Sequence, residues 1–215
     1  MRLWFSLLSF LTIRTSAVSC AHGLAAPATP TAPGPTVAPE PPTISTWQDL
    51  YCLIGRNPAG IDNSRFPITP VEDLGITGVL PDVDISTYKL PVDGLVDSPL
   101  ALSYDAMLEY PTVSEVVLLI CPGTFANDAE WTGVPVTTLL MEAGIKPEAS
   151  EVTFYAMDKY QRTFSLQDIQ QNGLFLAYRV NGQVLPKEHG YPIRLVVKGV
   201  YGAEWVKWID HIEVK

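Results

Sequence analysis

The side chains with most chemistry to offer in this 215-residue chain are three cysteines and the histidines and cations of its C-terminal part. Cys121 closes the apolar run VVLLICPG, and Pro122-Gly123 forces the chain to turn directly after it. A strand end followed by a turn presents a side chain to a cleft, where a thiolate serves as a soft metal ligand or a nucleophile. Two other readings stand beside that one. Cysteine is among the most buried residue types, and in an oxidising compartment with Cys20 lipidated, Cys52 and Cys121 remain as an even pair able to make a disulfide. His189 and His211 lie downstream, yet no Cys or His spacing matches a zinc site, no Ser sits in a Gly-x-Ser-x-Gly elbow, and no Gly-rich phosphate loop is present. Asp82 and Asp84 read as solvated loop acids. Hydrolytic mechanisms therefore lack their usual parts.

The elements that must position these residues follow from period and punctuation. Strands are predicted at 87–92, 115–121, 151–156, 174–180, 193–198 and 206–214, with Asn181-Gly182 as a hairpin turn. Helices are predicted at 103–109 with Ser103 as cap, at 136–143 ended by Gly144, and at 165–171 with Ser165 as cap. Ser45 or Thr46 caps a further short helix reaching Gly55, and residues 61–85, with three prolines, wrap the domain as ordered loop. Strands outnumber helices without alternating with them, which predicts an α+β domain.

Ahead of that domain the chain changes character. Residues 3–13 form an apolar run after Arg2, too short to span a bilayer, and read as the core of a secretory signal occupying residues 1–19. Ala17-Val18-Ser19-Cys20 loosely resembles a bacterial lipobox and equally suits ordinary signal cleavage, so the product is expected in the bacterial cell envelope, lipid-anchored or secreted. Residues 20–42 include seven prolines between Ala25 and Pro42 and form an extended tether before the domain at 43–215. Lys plus Arg number 14 against 23 Asp plus Glu, for a net charge of −9. That balance excludes a nucleic-acid or anionic-membrane binder, because both need basic surface. Membrane contact is expected only through a lipid on Cys20. A hydrophobic fraction of 47% supplies material for a core.

From Leu176 to Val214 the chain carries Asn-Gly-x-x-Leu-Pro, His-Gly-x-Pro-x-Arg-x-Val-Val, and Tyr-Gly followed by Val-Lys-Trp. This strongly resembles the C-terminal part of the molybdopterin-binding domain of the sulfite oxidase family. Upstream, residues 88–111, VVLLICPG, and Trp131-Thr132-Gly133-Val134-Pro135 with Leu139-Leu140 resemble the same family in order, so the similarity covers residues 68–214. The resemblance implies a mixed, barrel-like sheet core with short helices and a molybdenum–molybdopterin cofactor whose metal is held by Cys121. It further implies that His189 and Arg194 hold the pterin and its phosphate, that Trp205, Val206 and Lys207 wrap the cofactor with backbone groups and one lysine, and that Asp158 contributes a polar contact. An Arg fork suits a phosphate through paired charge-assisted hydrogen bonds. Tyr160, Tyr191 and Tyr201 are further candidates for the pocket wall.

The chain also departs from the family pattern. Where the family has an aromatic-x-Arg-Asn-His segment, residues 72–78 read EDLGITG, and no arginine follows the cysteine in CPGTFAND. Anionic sulfite would lack its cationic seat, so a different small polar substrate is expected. With Lys215 as the last residue, the family's dimerising sandwich domain is not expected, and the protein is expected to be monomeric. It has no haem-attachment Cys-x-x-Cys-His and calls for an external electron partner. Only Arg2 precedes the apolar run, where folded molybdopterin proteins typically carry a twin-arginine export signal. Two functions are left in view: a molybdenum-dependent oxidoreductase moving an oxygen atom or electron pair, and a non-catalytic envelope domain that keeps the fold around a degenerate site.

Overall fold

A computed structural model describes residues 43–78 and 81–215; the expected signal, lipidation site and tether lie outside the described residues. The strands are β1 (Leu90–Gly94), β2 (Leu100–Leu102), β3 (Val113–Cys121), β4 (Phe125–Pro135), β5 (Glu151–Ala156), β6 (Gln161–Ser165), β7 (Phe175–Val180), β8 (Gln183–Val184), β9 (Arg194–Val196) and β10 (Ile209–Val214). The helices are α1 (Tyr104–Leu108), α2 (Val136–Ala143) and α3 (Leu166–Asn172). One five-stranded sheet runs β2-β1-β10-β5-β6. Within it β1 and β10 pair in parallel, placing Val92 opposite Ile212. The second runs β3-β4-β7-β8, with β9 also on β7. The fold is α+β, and the sheets do not close into a barrel.

Local chemistry accounts for most boundaries. Ser103 Oγ accepts from Ala106 N–H to start α1, and Ser165 Oγ accepts from Asp168 N–H to start α3, each satisfying a first-turn donor that the helix leaves unpaired. At its C-terminal end, α2 stops at Gly144, whose φ is 71°. The helix expected after Thr46 is a 3-10 helix, Trp47–Leu53, its start fastened by Asp49, whose carboxylate accepts from the N–H groups of Ser45 and Thr46. Asn181 and Gly182, with φ of 47° and 74°, turn β7 into β8.

The run VVLLI is continuous because β3 is covered on both faces. Val117 and Leu119 enter the main core with residues of both sheets, among them Phe154, Trp131 and Leu176. Leu118 and Ile120 face the other way and are capped by Leu50 and Leu53 of the 3-10 helix. Full burial of each such side chain contributes roughly 1.5–3 kcal/mol. Cys121 follows Leu119 by two residues, so the strand's alternation aims it to the main-core face just where β3 runs out.

Candidate functional site

The hairpin from β3 to β4 pairs Cys121 with Phe125. Thr124 locks the turn, its N–H and hydroxyl both donating to Cys121 O at 3.1 and 2.9 Å. Cys121 is a half-buried free thiol, so a Cys52–Cys121 bridge is not formed; Cys52 itself is disulfide-bonded. The side chain faces a narrow cleft of about 40 Å³ whose wall includes Leu119 and Phe125 from the hairpin and His189, Arg194, Trp205 and Lys207 from the C-terminal part. Alongside, a vestibule of about 310 Å³ shares Cys121, Trp205 and Lys207 and adds Asp158, Tyr160 and Trp208.

Each cation is held there by a local device. His189 ends a 3-10 turn, Lys187–His189, and Gly190 follows with φ of 113°. A Cβ at Gly190 would lie 2.9 Å from Arg194 Cβ and 3.1 Å from Lys207 Cβ, so only glycine lets these residues approach. Arg194 opens β9; its Nη1 donates to His189 O at 3.0 Å, and its guanidinium lies between the rings of Trp131 (4.6 Å) and Trp205 (5.1 Å). It is 5% exposed, and no carboxylate pairs with it among the described residues. Lys207 Nζ donates to Glu188 O at 3.0 Å and to Thr77 O, and sits 4.2 Å from the ring centroid of Trp208.

Burial beside like charge shapes the electrostatics. His189 is pushed down to about 4, first by burial and then by Arg194 and Lys207, so its imidazole is neutral at pH 7. Lys207 is lowered to about 8 by burial and by Arg194, with Asp158 opposing. Burial lowers Arg194 to about 9, which leaves it charged at neutral pH. Within a chain of net charge −9, three groups whose surroundings disfavour a further positive charge line one cleft. An anion entering it would relieve all three. Arg194 Nε and Trp205 Nε1 are buried without partners among the described residues, which leaves donors to spare for such a ligand. A lone sulfur opposite these donors suits a soft metal carried on an anionic organic ligand. Among the described residues no three His, Cys, Asp or Glu side chains cluster to hold a bare metal ion.

Of the residues expected from sequence, Cys121, His189, Arg194, Trp205 and Lys207 meet in the cleft, and Asp158 borders the vestibule, its Oδ1 accepting from Tyr160 N–H at 3.0 Å. Val206 differs: its side chain is fully buried in the core, and its carbonyl accepts from Leu195 N–H at 2.7 Å, so it spaces Trp205 and Lys207 without lining the cleft. Tyr160 borders the vestibule, whereas Tyr191 packs on Tyr104 with ring centroids 5.6 Å apart and Tyr201 joins the cluster beneath Ile120. Sequence reasoning missed Gly75 and Thr77, which close the cleft from the segment that departs from the family pattern. Gly75 N–H donates to Asn127 Oδ1 at 2.7 Å, and a Cβ there would fall 2.2 Å from the Phe125 ring. The glycine was the available signal.

Comparison with known proteins places residues 77–215 within the family model described as the oxidoreductase molybdopterin binding domain. The chain is 29% identical to a nitrate reductase [NADPH] of Phytophthora infestans over 77% of this chain and 22% of that protein. It is 30% identical to the mitochondrial sulfite oxidase of Rattus norvegicus over 63% of this chain and 30% of that one. An uncharacterized oxidoreductase, YuiH, of Bacillus subtilis is 32% identical over 60% of this chain and 66% of its own. Among solved structures, the sulfane dehydrogenase SoxCD from Paracoccus pantotrophus superposes with a TM-score of 0.60 at 30% identity, covering 63% of this chain and 40% of that chain. The chain thus spans less than a third of the length of the nitrate reductase and the sulfite oxidase it matches.

Proposed function

The chain belongs to the oxidoreductase molybdopterin-binding domain family, and from that premise we propose that it works as an exported oxidoreductase on a small polar substrate other than sulfite. The family implies a molybdenum cofactor, which when bound supplies two-electron redox chemistry coupled to oxygen-atom transfer. The residues present fit such a group. Cys121 offers a thiolate to the metal; Arg194 and Lys207 offer charge to a phosphate, with neutral His189 and the unpartnered Arg194 Nε and Trp205 Nε1 as hydrogen-bonding groups. Asp158 accepts from ring or amino N–H groups at the vestibule. Trp131 and Trp205 sandwich the Arg194 guanidinium and keep it from swinging out.

The observation that carries this reading is the convergence of Cys121 with His189, Arg194 and Lys207, drawn from sequence positions up to 86 residues apart, on one cleft. The exclusion of sulfite is supported by the turn after Cys121, Pro122-Gly123-Thr124, which brings no cation, and by Lys207, whose ammonium is already engaged by two carbonyls. Export is supported by the apolar leader and by the disulfide-bonded Cys52, since disulfides persist in oxidising compartments. Turnover calls for an external electron partner, and the domain acts as a monomer. Elemental analysis of protein purified from its native compartment tests the reading: near-stoichiometric molybdenum is expected, and a metal-free preparation would favour a non-catalytic envelope domain.

A further inference from the structure

Away from the cleft, on the face of β4 that the N-terminal 3-10 helix covers, one acid stands in an otherwise apolar layer. Asp128 is fully buried. It lies opposite Leu118 across the β3–β4 ladder, next to the cluster of Leu50, Leu53, Leu118, Ile120 and Ala126. Its Oδ1 accepts from Asn63 Nδ2 at 2.7 Å, and its Oδ2 has no partner among the described residues. The same residue's backbone clasps the wrapping segment: Thr69 N–H donates to Asp128 O at 2.8 Å, and Asp128 N–H donates to Thr69 Oγ1 at 3.2 Å. Six residues on, Gly75 hangs from the adjoining Asn127 and walls the Cys121 cleft. Asn63, Thr69 and Gly75 thus tie one segment to two consecutive residues of β4.

We propose that Asp128 is an acid-operated clasp, fastening the 63–75 segment to β4 when its carboxyl is protonated and loosening it when the carboxyl ionises. A buried carboxylate with one oxygen unpaired is costly, whereas the neutral acid keeps the Asn63 bond without a buried charge. Burial raises Asp128 to about 6, with Asn63 opposing. Among the described residues no charged side chain offsets that. From β3 the facing residues are Val116 and Leu118; Asn63 and Thr69 are neutral; Glu130 on β4 and Asp62 and Arg65 on the wrapping segment are exposed, and half-buried Asp49 of the 3-10 helix is spent on the N–H groups of Ser45 and Thr46. Because the folded value lies above the unfolded one of about 3.9, the folded state holds the extra proton. Stability from the clasp is therefore full below about pH 4 and lost as pH rises through about 6. The device is independent of the cofactor.

The test uses the full chain without cofactor. Hydrogen exchange at the 63–75 amides, corrected for intrinsic rates and referred to the amides of β5, is measured at pH 5 and pH 7.5 in wild type and in Asp128→Asn. Wild type is expected to lose several-fold to about tenfold of its protection at the higher pH, about tenfold being the most that titration near 6 allows above pH 5, while the amide variant holds steady. A 13C titration of the Asp128 carboxyl in wild type, expected to turn near pH 6, keeps the test valid if the variant does not fold. A midpoint in the ordinary carboxylate range, or equal pH dependence in both proteins, overturns the proposal.

Discussion

Arg194 is the residue on which the site's chemistry turns. A buried guanidinium with no carboxylate partner costs desolvation that one carbonyl and two indole rings offset only in part, and an anion would offset the rest. Arg194→Met is therefore expected to leave the cofactor-free domain as stable as wild type or about 1 kcal/mol more so, by denaturant titration, while cofactor content falls at least tenfold. A large loss of stability without loss of cofactor would assign Arg194 to structure alone. Position 121, the imidazole at 189 and the cations at 194 and 207 were singled out by the contiguous motifs that carry the family resemblance, since composition and spacing alone favour a core cysteine, a structural histidine and a surface ion-pair former. Asp128, Asn63 and Thr69 were not, since an acid in FANDAE reads as exposed until the layer above it is known. Alternation along an extended segment sends the Val206 side chain to the opposite side from Trp205 and Lys207, which leaves only its backbone for the role the resemblance implies.

Among elements, β4 carries more than its pattern advertised. Its eleven residues, FANDAEWTGVP, show no period of two and include a proline and a glycine, so no strand is predicted there. Yet it joins β3 to β7. The register shifts between Thr132 and Gly133, and at Gly133 a Cβ would come within 2.0 Å of Leu176 O. Gly133→Val should cost about 3 kcal/mol or more in denaturant titration, since backbone and not a flexible side chain meets the new atoms; a cost below about 1 kcal/mol would mean the pair separates readily. β6 escaped notice as a short, polar edge strand, and β2 as a three-residue one. By contrast β5 and α2 fall where periodicity and end signals put them, because each has a clear apolar face and a defined stop. The α3 cap is testable separately: Ser165→Ala should cost about 1 kcal/mol, read by thermal melting. An unchanged melting temperature would show the cap bond contributes nothing.

For the molecule as a whole, two buried groups oppose each other in mild acid. His189, lowered to about 4, resists protonation, so its contribution to stability is present above about pH 6.5 and lost as pH falls toward 4; Asp128, raised to about 6, contributes in the opposite direction across nearly the same range. The wild-type melting temperature is therefore expected to vary little between pH 4 and 6.5. Asp128→Asn should unmask a fall on acidification and His189→Gln a rise, and parallel curves for all three proteins would contradict both assignments. At this scale the α+β class and the cleft between hairpin and C-terminal motifs were readable from motif order, while the packing of the N-terminal helix over β3 was not, because a 3-10 turn leaves too short a pattern to orient.

The central claim is that the sulfur of Cys121 binds molybdenum in a cleft floored by His189, Arg194 and Lys207. X-ray absorption at the molybdenum edge, on natively purified wild type and Cys121→Ser, tests it most directly. The account predicts near-stoichiometric metal in wild type and one fewer sulfur neighbour in the variant. The same sulfur count in both proteins, or no molybdenum in either, would contradict it.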